Sequence, residues 1–129
     1  MKRILLDSHT FLWFVLRKPL LSRSADALIS DPSNIVLVSP ATFWEIAIKV
    51  GKNKLDLTSS YDDFMRQGIE GNDFTILPID PKHTSLLTTM IQHHNDPFDR
   101  MIIAQAMAEQ VPVVGVDSAF DAYGVTRLW

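Results

Sequence analysis

The chain has 129 residues and no cysteine, with 47% hydrophobic residues, 21% charged residues and a net charge of −3. This composition excludes a disordered chain, and the lack of thiols excludes disulfides, thiolate catalysis, zinc fingers and iron–sulfur clusters. The length predicts one domain over residues 1–129, and the charge means that any nucleic-acid contact needs a local basic patch. Because no apolar run approaches the roughly 20 residues that span a bilayer, and an acid soon follows the first apolar run, we expect no membrane segment, no signal peptide and a cytoplasmic protein.

Short apolar runs rich in β-branched residues predict the strands. They are apolar on both faces and bounded by polar residues, which is typical of a parallel sheet buried between helices. In chain order, the predicted strands are Arg3–Leu6, Ile35–Val38, a weaker Thr75–Ile79, Val111–Val116 and a short edge strand at Val125–Leu128.

Helix start patterns lie between these runs. A serine or aspartate followed by proline, as in Ser39-Pro40, Asp80-Pro81 and Asp96-Pro97, is typical of an N-cap with proline at the first helical position. Ser60 and Asp63 resemble a capping box. The predicted helices are Ser8–Leu16, Ser22–Ser30, Pro40–Val50, Tyr61–Gly68, Pro81–His93, Pro97–Glu109 and Ser118–Tyr123. This alternation predicts βαβ units and an α/β sheet covered on both faces.

Two acids directly follow predicted strands. Asp7 comes after the first strand, and because Ser8 can cap the next helix, Asp7 is not needed for that role. Asp117 comes after the fourth strand, where the alternative interpretation is a cap for Ser118–Tyr123.

Two further acids lie on predicted helices. Glu45 is almost the only polar group of an apolar helix, where an unpaired carboxylate is costly to bury. Its alternative role is an ion pair with Lys49, four residues on. Asp99 lies in the first turn of the helix that Asp96 opens, where an acid also favours the helix dipole.

The four acids together predict a metal site. Ligands of open α/β sheets bind beyond the carboxyl ends of the strands, where Asp7 and Asp117 fall. Glu45 lies on the helix that directly follows Ile35–Val38, and Asp99 lies in the first turn of a helix whose start is expected to face the same edge of the sheet. Converging carboxylates raise one another's pKa, and a divalent cation relieves this repulsion. Oxygen ligands favour Mg²⁺ or Mn²⁺ over zinc, and such an ion can ionise water and neutralise a scissile phosphate.

Four stretches resemble the acidic motifs of the PIN-domain ribonucleases, and among them the VapC-type toxins of toxin–antitoxin pairs. The resemblance covers nearly the whole chain. The stretches are Ile4–His9, Val38–Lys49, His93–Arg100 continued by Ala104–Ala106, and Val113–Asp117 followed by Phe120, Tyr123 and Gly124. Many members have threonine in place of Gly115 and aspartate in place of Ala119, which leaves Asp121 as an alternative fourth acid.

The resemblance implies a three-layer α/β/α PIN-like fold with a central, mainly parallel sheet. It also implies Mg²⁺- or Mn²⁺-dependent endoribonuclease activity on single-stranded RNA, a homodimer and inhibition by a cognate antitoxin. We assign Asp7, Glu45, Asp99 and Asp117 as catalytic and metal-binding residues. Asp7 and Asp99 are the expected direct ligands, while the other two bind the metal directly or orient its waters.

Cationic and aromatic residues are the expected partner contacts. Lys49, Lys52, Lys54 and Arg100 are predicted to contact RNA phosphates, and the alternative is solvated surface. The helix from His9 is apolar nearly all round, so Trp13 or Phe14 is expected to face a dimer mate or the antitoxin. His93 and His94 point about 100° apart on a helix end and are interpreted as contacts between motifs rather than ligands of one metal.

Two rival functions remain at this stage. A phosphoacceptor receiver domain needs an acid pair beside the first strand and a lysine after the last, and the chain has neither. A PIN-like binding module without catalysis is disfavoured by the four acids and left open by Gly115 and Ala119.

Overall fold

The computed structural model describes residues 2–129 and contains five strands. They are β1 (Arg3–Leu6), β2 (Ile35–Val38), β3 (Thr75–Ile76), β4 (Val113–Val114) and β5 (Arg127–Leu128). All neighbouring strands are parallel, in the order β3-β2-β1-β4-β5. Strands β2 and β3 add outward on one side of β1, whereas β4 and β5 add on its other side. The strand order therefore reverses between β1 and β4. Such a reversal point is where open α/β sheets bind their ligands.

The connections between strands are helical. The α-helices are α1 (Ser8–Val15), α2 (Arg23–Ser30), α3 (Pro40–Gly51), α4 (Tyr61–Ile69), α5 (Pro81–Leu87) and α6 (Pro97–Glu109), with 3₁₀ helices at Glu70–Asn72 and Ser118–Tyr123. Every helix within residues 2–129 is too short or too polar to cross a membrane.

Alternating strand residues build two cores, one on each face of the sheet. Ile4 and Leu6 pack with Phe11 and Phe64 of α1 and α4, whereas Leu5 packs with Ile102 and other residues of α6. This alternation follows from the two-residue period of a strand. The predicted three-layer α/β/α fold with a parallel central sheet is therefore confirmed.

Three predicted strands are longer than the observed ones. The fourth strand, predicted at Val111–Val116, spans only Val113–Val114. It begins late because the Val111 amide instead donates to Ala106 and closes the end of α6. The third strand stops at Ile76, two residues before Pro78, which has no N–H for the ladder. The fifth strand lies at the edge as predicted, but it begins at Arg127 rather than at Val125.

The helix predicted at Pro81–His93 ends at Leu87. Beyond it, the amides of His93 and His94 donate to the Tyr123 hydroxyl, and Arg100 approaches the carbonyls of Met90 and Ile91. These tertiary partners satisfy backbone groups that a longer helix would have paired internally, so the prediction was wrong for a reason outside the local sequence. The segment Ser118–Tyr123 is helical as predicted, but of the 3₁₀ type.

Candidate functional site

Asp7 lies at the carboxyl end of the central strand and is only 3% exposed. Its Oδ1 accepts a 2.8 Å hydrogen bond from the Thr10 amide, so Asp7 is the N-cap of α1. This confirms the capping alternative for Asp7, whereas Ser8 does not act as the cap because it is already helical and its hydroxyl contacts Thr42. Burial raises the pKa of Asp7, the Thr10 hydrogen bonds lower it, and the charge of Asp117 raises it further.

Gly115 lies directly against the other oxygen of Asp7. A Cβ at position 115 would lie 2.6 Å from Asp7 Oδ2, which is closer than real Cβ contacts come. Helix α1 is also joined to β4 here by the Thr10 hydroxyl, which donates to the Val114 carbonyl at 2.9 Å. The departure from threonine at position 115 therefore makes room for the Asp7 carboxylate.

Glu45 points inward from α3 and is 7% exposed. Its Oε2 lies 2.9 Å from Lys49 Nζ, which confirms the ion pair named as an alternative. Its Oε1 is buried and has no hydrogen-bond partner within residues 2–129. One acceptor oxygen of a buried carboxylate is thus left open, at an energetic cost that a bound cation or donor would remove.

Asp99 lies in the first turn of α6, behind the N-cap Asp96, whose carboxylate accepts from the amides of Phe98 and Asp99. Desolvation raises the pKa of Asp99 to about 7, and the charges of Asp96, Asp7, Glu45 and Asp117 raise it in the same direction. The four acids predicted from separate stretches of the chain therefore share one electrostatic neighbourhood.

Asp117 is the most exposed of the four. Its Oδ1 accepts from the Ala119 amide at 2.9 Å, which confirms the capping alternative for one of its oxygens. Asp121 is held by Arg127 at 2.9 and 3.2 Å, and this hydrogen bonding lowers the pKa of Asp121. Asp121 is also not among the charges that act on Asp99, so the structure favours Asp117 over Asp121 as the fourth acid.

The carboxylates suit a hard cation by their chemistry but are not gathered into a finished metal cage. Within residues 2–129, no three His, Cys, Asp or Glu side chains form a ready metal-binding group. The unpartnered oxygen of Glu45 and the raised pKa values of Asp7 and Asp99 are nevertheless energetic costs that a bound cation would relieve. These donors fit a divalent ion that keeps several water ligands, as Mg²⁺ does.

The predicted cationic residues separate into three groups. Lys49 is brought to the site through Glu45. Lys52 and Lys54 are exposed beyond the end of α3, and at 1.5 Å per residue Lys52 is about 10 Å further along the helix axis than Glu45. Arg100 lies within 3.5 Å of Met90 and Ile91 carbonyl oxygens and of the Tyr123 hydroxyl, so it supports the loop before Asp96.

Two histidines occupy defined positions. His94 Nδ1 lies 2.8 Å from the Tyr123 hydroxyl, which confirms a contact between motifs, and His94 Nε2 lies 3.7 Å from Asp99 Oδ2. His83, which the sequence analysis missed, is fully buried between the Asp80 amide and Glu109 Oε2. The available sequence pattern for His83 was its place three residues after the N-cap Asp80, where a capping box puts its second member.

The expectation that Phe14 of α1 faces a protein partner was wrong. Phe14 is 7% exposed and packs on Phe74 with ring centroids 5.7 Å apart, so it belongs to the core and cannot face a partner. Trp13 is half-buried, between His9 and Trp129.

Comparison with known proteins shows which family and which solved structures this chain resembles. The family profile of the PIN domain matches residues 4–125, whereas no curated protein matches the sequence significantly. Among solved structures, FitAcB from Neisseria gonorrhoeae is 22% identical, with 98% of this chain and 96% of that chain covered and a TM-score of 0.67. VapBC2 from Rickettsia felis, bound to a DNA fragment from its promoter, is 16% identical, with coverages of 98% and 97% and a TM-score of 0.66. VapBC-5 from Mycobacterium tuberculosis is 20% identical, with coverages of 95% and 90% and a TM-score of 0.55.

At these identities the structural similarity establishes the fold, while the profile covers the four acidic motifs and nearly all of the sequence. The chain therefore belongs to the PIN domain family, whose members are in general divalent-metal-dependent nucleases.

Proposed function

We propose that this protein is a Mg²⁺- or Mn²⁺-dependent endoribonuclease that acts as the toxin of a toxin–antitoxin pair. The observation that carries the proposal is the environment of Asp99 near the reversal point of the sheet: burial raises its pKa to about 7, and the charges of Asp96, Asp7, Glu45 and Asp117 act in the same direction. Four carboxylates in one partly buried place are costly without a cation and useful with one.

In this mechanism Asp7 and Asp99 would hold a divalent ion, while Glu45 and Asp117 would bind it or orient its waters. Such an ion would supply an activated water and would neutralise charge on the scissile phosphate. Thr10 holds the Asp7 carboxylate in place through Oδ1, which leaves Oδ2 on the Gly115 side. Lys49 holds the Glu45 carboxylate in place through their 2.9 Å ion pair. Lys52, Lys54 and Arg100 remain our candidates for phosphate contacts, of which Lys52 and Lys54 have exposed side chains.

The decisive experiment is cleavage of a labelled single-stranded RNA by wild-type protein and by the Asp7→Asn and Asp99→Asn variants, with and without chelator. Of these three proteins, we expect only the wild type to cleave the RNA, and only when the metal is present. Asp62→Asn, which changes an exposed acid of α4, is the matched control and should cleave normally. Undiminished cleavage by either site variant, or in excess chelator, would refute the proposal.

The toxin role is supported by similarity to VapBC-5 from Mycobacterium tuberculosis, a member of the VapBC family of toxin–antitoxin systems. We expect the protein to act in the cytoplasm, where its RNA substrate is found. Induction of the wild type should arrest cell growth, and induction of the Asp7→Asn variant should not. Co-expression of the protein encoded by the adjacent gene should restore growth if that protein is the antitoxin. Light scattering at micromolar concentration should show a homodimer, and a monomer would remove that part of the proposal.

Two observations favour a second candidate, a PIN-like binding module with weakened catalysis. No three acidic, histidine or cysteine side chains within residues 2–129 are gathered for metal binding, and Asp117 already caps a 3₁₀ helix. RNA binding without metal-dependent turnover would decide for this candidate.

A further inference from the structure

Trp44 is the largest hydrophobic side chain left in solvent, with 64% of its surface exposed. It lies on α3 between residues that are buried or partly buried, and it belongs to neither core of the sheet. Its aromatic neighbour is Phe98, with ring centroids 5.2 Å apart and planes at 88°. The indole is therefore held in place by a ring contact while much of its surface stays open.

The position of this aromatic pair relates it to the acidic site. Trp44 immediately precedes Glu45, and Phe98 immediately precedes Asp99, so the pair joins the two helices that carry these carboxylates. Consecutive helix residues point about 100° apart, which places Trp44 on the outside while Glu45 points inward. A strand bound over the carboxylates would pass beside the exposed indole.

The charge of the site explains why an aromatic contact is useful there. The acids repel RNA phosphates, Lys49 is engaged by Glu45, and the chain carries a net charge of −3. Stacking of a base on an aromatic ring does not depend on charge and tolerates any base, and proteins commonly use it to bind single-stranded nucleic acid.

We propose that Trp44, held by Phe98, is a stacking platform for one unpaired RNA base next to the scissile phosphate. This inference rests on the proposed ribonuclease function and adds the residue that positions the strand. Trp44 thereby contributes binding affinity without sequence specificity and restricts cleavage to unpaired RNA.

The test compares Trp44→Ala, Trp44→Phe and the wild type. The probe is a labelled oligoadenylate, measured with Ca²⁺ in place of Mg²⁺ so that it stays intact. Trp44→Ala should weaken binding about tenfold, and Trp44→Phe should keep most of the affinity because it keeps a ring. The control Leu20→Ala removes an apolar side chain of equal exposure (63%) beyond the far end of α1 and should bind normally.

A second series carries one abasic nucleotide, moved along the strand. With the wild type, one position should lose affinity, and Trp44→Ala should abolish that dependence. Binding should also quench tryptophan emission in the wild type and not in Trp44→Phe. Equal affinity of Trp44→Ala and wild type would overturn the inference while leaving the ribonuclease proposal intact. A wild type that neither binds nor cleaves RNA refutes the function itself. Emission from Trp44 that shifts with protein concentration and not with RNA would assign this surface to a protein interface and overturn the inference.

Discussion

Gly115→Ala tests the arrangement of the site with the smallest possible change. Position 115 has no positive φ, so alanine is compatible with its backbone. The added methyl group would lie 2.6 Å from Asp7 Oδ2 and 3.0 Å from its Cγ. The Asp7 carboxylate cannot turn away freely, since Thr10 holds its other oxygen at 2.8 Å.

The expected magnitude follows from these distances. Ordinary contact begins near 3.4 Å, so the carboxylate must retreat by about 0.8 Å. A misplacement of about 1 Å in a catalytic arrangement costs on the order of a hundredfold in rate. The crowding should also destabilise the fold by about 1–3 kcal/mol, partly offset by the lower entropy of alanine in the unfolded chain.

Three measurements separate these effects: the cleavage rate, Mn²⁺ affinity by calorimetry, and thermal unfolding. Gly51→Ala is the control, because no atom lies within 4 Å of its added Cβ at the end of α3. It should cleave normally and be as stable as the wild type or slightly more stable. A folded Gly115→Ala protein with unchanged Mn²⁺ affinity and cleavage would refute the proposed role of Asp7. The affinity measurement remains informative even without a known RNA substrate.

Three further predictions follow from other contacts. The raised pKa of Asp99, about 7, means that the folded state binds a proton more tightly than the unfolded state. The free energy of unfolding of the metal-free protein should therefore fall as the pH rises from about 4 to 7. Asp99→Asn should abolish this fall and should raise the free energy of unfolding at pH 8 by about 1–2 kcal/mol, measured by denaturant unfolding. His83→Ala should lower the free energy of unfolding by about 2–4 kcal/mol, because it leaves a buried cavity and an unpaired Asp80 amide, yet the folded fraction should cleave normally. Asp121→Asn should leave cleavage unchanged, since Arg127 engages both oxygens, and a large loss of activity would show that Asp121 is the fourth acid.

Elements with strong local patterns could be predicted from sequence. The bounds of Arg3–Leu6, Ile35–Val38 and Pro97–Glu109 agree with the structure, because an apolar run or a cap-plus-proline start specifies each of them locally. The end of α5 could not be predicted, since Arg100 and Tyr123 supply its competing hydrogen bonds from distant parts of the chain.

The amino-acid sequence by itself determined which acids follow strands or lie on the helices between them. Because the predicted sheet is parallel, the sequence also led us to expect that these acids lie close together. Only the tertiary structure decided how they meet. Packing places Gly115 against Asp7, leaves one oxygen of Glu45 without a partner, and removes Asp121 from the site by pairing it with Arg127. The physical reason is that secondary structure depends on neighbours along the chain, whereas desolvation and charge depend on atoms that folding brings together from far apart.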